Sequence, residues 1–253
     1  MKRIVPRPPK RLPAAAQLHW HEAECGAYAA DLPLWGDLAG ETKGPVLELG
    51  CGAGRVLMHL GRRGHEAWGV DSDPELIAAA QRKAREAHLQ VEVRRGDVRN
   101  LHLERRFGLC IAPMQFLQLL PGPTARMAAL RVVADHLEPG GLAASTVVEN
   151  ARDGEVPPGT VPDLREVGGW VYSSLPIGLR QRGPRLEIER LREAVSPSGR
   201  HHRESHVERL TLLSADQVEG EALEAGLAPY DRRYVPAEDA WRDATAVILR
   251  REA

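Results

Sequence analysis

The sequence predicts an α/β protein with a mostly parallel sheet, and three observations support this prediction. Short apolar runs alternate with helical patterns throughout residues 44–150. A glycine-rich turn separates the first apolar run from the helix that follows it. Later, a Glu-Pro-Gly-Gly segment at 138–141 ends one helical pattern and precedes another apolar run. Strands and helices that alternate in this way are typical of parallel sheets with helices on their faces.

The amino-acid composition is typical of an ordinary globular protein. The 253 residues are 43% hydrophobic and 27% charged, and the net charge of −1 predicts no general attraction to nucleic acid or anionic membranes. No apolar run is long enough to cross a bilayer, and no apolar core follows the basic N-terminus as in a secretory signal. Three cysteines without paired spacing favour a cytoplasmic location and no disulfide framework.

The first element in order is the glycine turn. Gly50, Gly52 and Gly54 follow the strand 46–49 and precede a helix over 54–63. This layout brings a ligand against bare backbone at the N-terminus of a helix. The dinucleotide fingerprint G-x-G-x-x-G would require a third glycine at position 55, where the chain has Arg55.

The next two strands each lead to an aspartate. The strand 66–71 ends at Asp71, about 20 residues beyond the glycine turn, where an acidic side chain accepts hydrogen bonds from ribose hydroxyls. Asp73 and Pro74 then predict the start of a helix over 74–88. The third strand, 91–95, leads to Asp97.

Glu48, the three alternate glycines, Asp71 and Asp97, in this order and spacing, resemble the cofactor-binding motifs of the class I S-adenosylmethionine-dependent methyltransferases of small molecules. The resemblance covers residues 44–150 well. It implies a seven-stranded, mostly parallel Rossmann-like sheet flanked by helices, S-adenosylmethionine as cofactor, and in-line transfer of a methyl group to a small-molecule acceptor. It also implies a set of cofactor-binding residues: Glu48, Gly50, Cys51, Gly52, Gly54, Asp71, Ser72, Asp97, Val98 and Ala112.

The resemblance assigns no catalytic residue, because a sulfonium methyl group is already electrophilic. Tyr28 and Gln115 are the candidates. In the family, a tyrosine ahead of the core often covers the cofactor, but Tyr28 is equally compatible with simple packing. Gln115 follows the fourth strand, 107–114, where the family places the methyl group, but Gln115 and Gln118 are also compatible with capping or solvent exposure.

Five segments are predicted. Residues 1–13 are a flexible basic tail, 14–43 are a helical cap with a break near Asp31, and 44–150 are the cofactor-binding core. Residues 151–213 are an inserted antiparallel β lid after strand 5: a loop over 151–169, then strands over 169–176, 185–195 and 202–213. Residues 214–253 complete the core sheet, starting with a capping box at Ser214 and followed by strands over 227–235 and 244–250.

Other functions remain open at this stage. They are an NAD(P)-dependent oxidoreductase, a non-catalytic cofactor-binding module, and an RNA methyltransferase that uses the basic tail. Nucleic-acid and membrane partners are not expected, and the inserted hairpin offers a way to form a homodimer. His201, His202 and His206 lie among charged residues and are interpreted as surface side chains, so no metal site is predicted.

Overall fold

The computed structural model describes residues 12–149, 156, 159–237 and 243–252. Its helices, numbered in chain order, are α1 (Ala16–Gly26), α2 (Leu32–Glu41), α3 (Arg55–Arg62), α4 (Pro74–Glu86), α5 (Phe116–Leu119), α6 (Pro123–His136) and α7 (Ala215–Glu224). Its strands are β1 (Val46–Leu49), β2 (Ala67–Asp71), β3 (Val91–Arg95), β4 (Phe107–Ala112), β5 (Leu137–Val147), β6 (Asp163–Val167), β7 (Trp170–Arg182), β8 (Arg185–Val195), β9 (His201–Thr211), β10 (Leu227–Val235) and β11 (Ala244–Arg251).

The chain forms two compact units. The larger, the core unit, comprises Tyr28–Arg152, Gln181–Leu186 and Arg209–Ala253. The smaller, the sheet unit, comprises Met1–Ala27, Asp153–Arg180 and Glu187–Glu208. The segment 14–43, predicted as one helical cap, therefore contributes α1 to the sheet unit and α2 to the core unit.

The core unit is built on a seven-stranded sheet in the order β10-β11-β5-β4-β1-β2-β3. Strands β1 to β5 are parallel, and β11 pairs antiparallel with both β5 and β10. Buried apolar side chains cover both faces of the sheet; Phe107 and Leu47 lie in one cluster, and Trp35 and Leu109 in the other. The predicted fold class, a seven-stranded and mostly parallel sheet, is confirmed.

The strand order places a topological switch point between β1 and β4. The chain runs from β1 outward through β2 to β3, then returns to the other side of β1 as β4. The crevice at the carboxyl ends of the strands next to such a reversal is where open α/β sheets bind ligands.

Local helix signals were read correctly from the sequence. The Asp73 carboxylate accepts hydrogen bonds from the backbone N–H groups of Glu75 (2.7 Å) and Leu76 (3.2 Å) at the start of α4. The capping box at α7 is also present, since Ser214 and Gln217 exchange backbone and side-chain hydrogen bonds. These caps satisfy amide groups that would otherwise lack partners in the first turn.

In the sheet unit, α1 packs on a four-stranded sheet in the order β6-β7-β8-β9. Trp20 of α1 and Tyr172 of β7 lie edge to face, with both side chains fully buried. Glu24 of α1 accepts two hydrogen bonds from Arg192 at 2.7 and 2.6 Å. The amphipathic helix and the inner face of the sheet therefore share one core with an internal ion pair.

Two predicted boundaries need correction. Strand β6 lies within 151–169, predicted as a loop; its alternating apolar and charged residues are few, and the stretch before it is rich in proline. The segment 138–141, predicted to separate a helix from the next strand, lies inside β5, which begins at Leu137 directly after α6 and pairs irregularly with β4. The predicted break near Asp31 is confirmed, since α1 ends at Gly26 and α2 begins at Leu32.

Some predictions lie outside the described residues. These are residues 1–11 of the predicted tail, Asn150 at the end of the predicted core, and residues 151–155 and 157–158 of the predicted loop over 151–169. Among the described helices, none is both long and apolar enough to cross a membrane.

Candidate active site

The segments predicted to bind the cofactor meet at one edge of the core sheet. The backbone N–H of Gly50 donates to Val70 O at 2.8 Å, and that of Gly52 donates to Asp71 Oδ2 at 2.9 Å. The Gly96 N–H, just ahead of Asp97, donates to Asp71 O at 2.9 Å. The glycine turn and the ends of β2 and β3 are therefore hydrogen-bonded to one another.

The turn between β1 and α3, residues 50–54, is called the glycine corner below. Gly50, Gly52 and Gly54 have φ values of +67°, +53° and +84°, so all three adopt left-handed backbone. A Cβ on Gly50 would also lie 2.2 Å from the ring of Phe116, and one on Gly54 would lie 3.1 Å from Ala80 Cβ. The glycines are required by backbone conformation and, at positions 50 and 54, by protein packing.

Asp71 lies at the carboxyl end of β2, half-buried beside the corner. Its Oδ2 accepts the Gly52 N–H and its Oδ1 accepts the Asp73 N–H, both at 2.9 Å. Each carboxylate oxygen has two lone pairs. Asp71 is thus held in one orientation and keeps acceptor capacity for a ligand diol.

Glu48 is buried beneath the corner. Gly54, the N-cap of α3, has no side chain to cap the helix, and the backbone N–H of Leu57 hydrogen-bonds to the Glu48 carboxyl instead. Oε2 of this carboxyl has no hydrogen-bond partner among the described residues. Burial raises the pKa of Glu48 to about 8, opposed by the nearby charge of Arg55.

Tyr28 is held against the corner by Arg55, the first residue of α3. The Arg55 guanidinium lies 5.2 Å from the Tyr28 ring centroid, and its Nη1 donates to Tyr28 O at 2.9 Å. The same guanidinium forms a bidentate ion pair with Asp31 at 2.6 and 2.7 Å. Asp31 also accepts a hydrogen bond from Trp35 Nε1 at 2.9 Å. This network fixes the segment before α2 to the first turn of α3.

Asp97 lies just after β3, where the resemblance to the family implies a contact with the adenine amino group. In the structure Arg99 binds both of its carboxylate oxygens, with distances of 2.6 to 3.1 Å. Hydrogen bonds from the Arg99 side chain and backbone lower the pKa of Asp97 to about 2. Val98 is buried in the core, so its side chain packs rather than faces solvent. Hydrogen bonding of a ligand amino group to Asp97 would require Arg99 to release it.

The end of β4 has an unusual backbone. Met114 and Gln115 have backbone φ values of +51° and +58°, which residues other than glycine rarely adopt. The Gln115 N–H points to Thr146 Oγ1 at a long 3.4 Å, and Gln115 is the N-cap of α5. Strained residues of this kind cluster at functional sites. Ala112, the last residue of β4, is buried immediately before this turn.

Three other sequence assignments are clarified. The Cys51 side chain is buried and packs on Gly69 of β2, so only its backbone faces the corner; burial raises the pKa of its thiol far above the usual range. Ser72 is exposed, and its carbonyl accepts from Arg95 Nε at 3.1 Å. Gln118 is buried and bonds to Val148 and to Thr211 O, which makes it a structural residue.

The histidines of β9 pair with acids. His201 lies 3.0 Å from Glu193, and His202 lies 3.3 Å from Glu204. Across the described ranges, no three His, Cys, Asp or Glu side chains are grouped to hold a metal ion.

Comparison with known proteins identifies the family. A family profile described as "Methyltransferase domain" matches residues 46–141. An amino pentose methyltransferase from Micromonospora echinaspora, solved with bound S-adenosylmethionine, has the same fold; the TM-score is 0.72 at 19% identity, over 96% of this chain and 99% of that one. A curated N,N-dimethyltransferase of dTDP-3-amino-3,6-dideoxy-alpha-D-glucopyranose from Streptomyces fradiae is 30% identical over 187 residues, which cover 72% of this chain and 69% of the relative.

The chain belongs to the class I S-adenosylmethionine-dependent methyltransferases. It is therefore an enzyme that uses S-adenosylmethionine, and the comparisons give no support to the oxidoreductase, non-catalytic and RNA-modifying alternatives. A sugar N-methyltransferase from a Streptoalloteichus species shares the fold with a TM-score of 0.76 at 21% identity, over 98% of this chain and 97% of that one.

The residues of this methyltransferase fit its cofactor. Asp71 has spare acceptor capacity beside the corner, and Glu48 has an orphaned oxygen directly beneath it. A cofactor that carries a diol complements the spare acceptor positions of the Asp71 carboxylate.

Sequence reasoning missed the Asp31–Arg55 pair and the strained Met114. The only sequence signal for the pair was Arg55 at the position where a dinucleotide site would have glycine.

Proposed function

We propose that this methyltransferase transfers methyl groups to the amino nitrogen of a small sugar substrate, in the class of nucleotide-linked amino sugars. The observation that carries the proposal is the 30% identity to the Streptomyces fradiae enzyme, which is named for such a substrate. That match spans more of the chain than the 96 positions of the family profile. The solved amino pentose and sugar N-methyltransferases share the fold, which is compatible with the proposal.

The cofactor site proposed for this chain follows the carboxyl edge of the core sheet. The corner backbone at Gly50, Cys51, Gly52 and Gly54 borders the methionine part of the cofactor, with Glu48 beneath it. Asp71 accepts hydrogen bonds from the ribose hydroxyls, supported by its fixed orientation and spare lone pairs. Ser72 borders the ribose.

The adenine and acceptor ends complete the proposal. Asp97 and Val98 border the adenine, and Arg99 moves aside when the adenine amino group donates to Asp97. Ala112 and Gln115 border the methyl group at the end of β4, and Tyr28 covers the corner from the side of α2. The two candidates differ in support: Tyr28 is held by Arg55, whereas Gln115 lies on strained backbone.

Methyl transfer depends more on how the acceptor is positioned than on its activation by a catalytic residue. S-adenosylmethionine would supply an electrophilic methyl carbon on its sulfonium, so that a new C–N bond to the acceptor forms in line as the C–S bond breaks and S-adenosylhomocysteine leaves. The protein holds the acceptor nitrogen about 3 Å from the methyl carbon and excludes water. The nitrogen attacks only when it is unprotonated, so the enzyme must bind or generate the neutral amine.

The test is methyl transfer to purified sugar nucleotides. The protein is incubated with S-adenosylmethionine and a dTDP-linked amino sugar, and the product is analysed by mass spectrometry for one or two added methyl groups. The matched control is the same sugar nucleotide with a hydroxyl in place of the amino group. Methylation of the amine alone supports the proposal; equal methylation of the hydroxyl analogue, or none of the amine, contradicts it.

We also propose a cytoplasmic location, supported by Cys25, Cys51 and Cys110, which form no disulfide among the described residues. The homodimer remains a prediction, and size-exclusion chromatography with light scattering tests it.

A further inference from the structure

Arg55 occupies an electrostatically unfavourable position. It is the first residue of α3, directly after the corner, and the N-terminus of a helix already carries partial positive charge. The proposed ligand of the corner is itself cationic at its sulfonium. An unpaired guanidinium here would repel both.

Asp31 neutralises the charge of Arg55 in a buried, bidentate ion pair. Its carboxylate is 1% exposed and binds both terminal nitrogens of Arg55, at 2.6 and 2.7 Å. Trp35 donates a third hydrogen bond to it at 2.9 Å. The same guanidinium donates to the Tyr28 backbone and lies over the Tyr28 ring. One ion pair therefore both cancels a charge and fastens a chain segment.

We propose that Asp31 is a positioning residue of the methyltransferase: through Arg55 it holds the segment from Tyr28 to Asp31 on the first turn of α3, and it prevents Arg55 from repelling the sulfonium cofactor. The inference rests on the proposed cofactor site at the corner. It assigns to this ion pair a share in distinguishing the cofactor from its product, because S-adenosylmethionine carries one more positive charge than S-adenosylhomocysteine.

The charge effect and the positioning effect have different signatures. Loss of positioning weakens binding of both ligands by the same factor. Exposure of an unmatched cation weakens binding of the sulfonium more than of the neutral sulfide. The ratio of the dissociation constant of S-adenosylmethionine to that of S-adenosylhomocysteine therefore isolates the charge effect.

The experiment measures both dissociation constants by isothermal titration calorimetry on the full chain. Asp31→Asn preserves the shape of the side chain and leaves Arg55 unmatched, so the ratio should rise about five-fold, because the uncompensated guanidinium opposes only the charged ligand. Asp31→Asn combined with Arg55→Gln removes both charges. It should return the ratio to the wild-type value, while both ligands bind more weakly than to wild type.

Two further variants keep the test decisive. Arg55→Gln alone leaves the carboxylate unmatched and should shift the ratio in the opposite direction, which provides a result if Asp31→Asn does not fold. Glu66→Gln is the matched control, because Glu66 forms a bidentate pair with Arg105 at 2.6 and 2.9 Å on exposed surface. It should leave both dissociation constants unchanged.

The outcomes separate the inference from the site on which it rests. If Asp31→Asn and Arg55→Gln weaken both ligands equally, the pair is structural and the inference is overturned, although the cofactor site stands. If the wild-type protein binds neither ligand, or binds both unchanged after Asp71→Ala, the site itself is wrong and the inference is overturned with it.

Discussion

Two aspartate–arginine pairs lie near the carboxyl ends of the parallel strands, and they differ in burial although their shortest contacts are equal. Asp31 and Arg55 have side chains that are 1% and 14% exposed, whereas those of Asp97 and Arg99 are 38% and 49% exposed. The shortest contact in each pair is 2.6 Å. Equal distances therefore accompany very different surroundings. Water can replace either partner of the exposed pair, but it cannot replace a partner of the buried one.

The largest effect should come from breaking the buried pair. Arg55→Met leaves the Asp31 carboxylate buried without its cation, and the free energy of unfolding should fall by about 3–5 kcal/mol. The matched substitution Arg99→Met should leave it almost unchanged, since solvent screens that pair. Urea denaturation of the two variants measures both values. Similar losses for the two would mean that burial does not distinguish the pairs.

A second effect tests the backbone of the glycine corner, next to the buried pair. Gly50→Ala places a Cβ 2.2 Å from the Phe116 ring on left-handed backbone, and should reduce the free energy of unfolding by about 3 kcal/mol. Gly64→Ala is the control, because Gly64 has similar backbone but no atom within 4 Å of the added Cβ. Its cost should be about 1 kcal/mol. Thermal unfolding of both variants checks the difference.

A third, smaller effect compares the two carboxylates as ligands. Asp71→Ala should weaken S-adenosylmethionine binding by about 1–3 kcal/mol, the range for a hydrogen bond to a charged group. Asp97→Ala should weaken it less, because the Asp97 oxygens are already bound by Arg99. Calorimetry gives both affinities. A greater loss of affinity for Asp97→Ala than for Asp71→Ala would mean that Asp97 makes the dominant polar contact with the cofactor.

A fourth effect is small per pH unit, and its sign is opposite for the buried Glu48 and the exposed Asp97. Burial raises the pKa of Glu48 from 4.5 to about 8, so the folded protein binds more protons than the unfolded chain between those values. Stability should therefore fall as pH rises through this window, by about 1 kcal/mol per pH unit from this group. Glu48→Gln should flatten that slope in chemical denaturation at several pH values.

For Asp97, in the exposed pair, the pH dependence of stability has the opposite sign. The pKa of Asp97 is lowered from 3.8 to about 2, so its contribution to stability is present above pH 3.8 and is lost as pH falls through 2. Asp97→Asn should lower stability by a small, constant amount above pH 3.8, and this difference from the wild type should vanish as pH falls through 2. A difference that varies between pH 5 and 8, or that persists below pH 2, would contradict the assignment.

The parts of the site that could be predicted from sequence are those defined by local pattern. The glycine corner, Asp71 and the N-cap at Asp73 each combine a residue type with a fixed offset from a strand end, so spacing alone located them. The mostly parallel sheet followed from the same alternation, and its seven strands from the resemblance to the family.

The remaining features depend on contacts that spacing does not encode. Asp31 and Arg55 are 24 residues apart, and only the packing of α2 beside α3 brings them together. The Phe116 ring over Gly50 comes from a different strand end. Arg99 lies only two residues from Asp97 in the sequence. Even so, the sequence does not say whether the guanidinium binds the Asp97 carboxylate or points to solvent, because that depends on the conformation of the Arg99 side chain.

The turn after β4 has a consequence for how acceptor choice can change. Pro113 is followed by two residues in left-handed backbone, and the Phe116 N–H closes the turn onto Pro113 O at 3.2 Å. Such a turn has few alternative shapes. Exchange of the side chains at 114 and 115 should therefore change the surface beside the end of β4 while the main chain stays in place. If the proposed methyl-transfer position lies there, these two positions are where substitutions would redirect the enzyme to new acceptors.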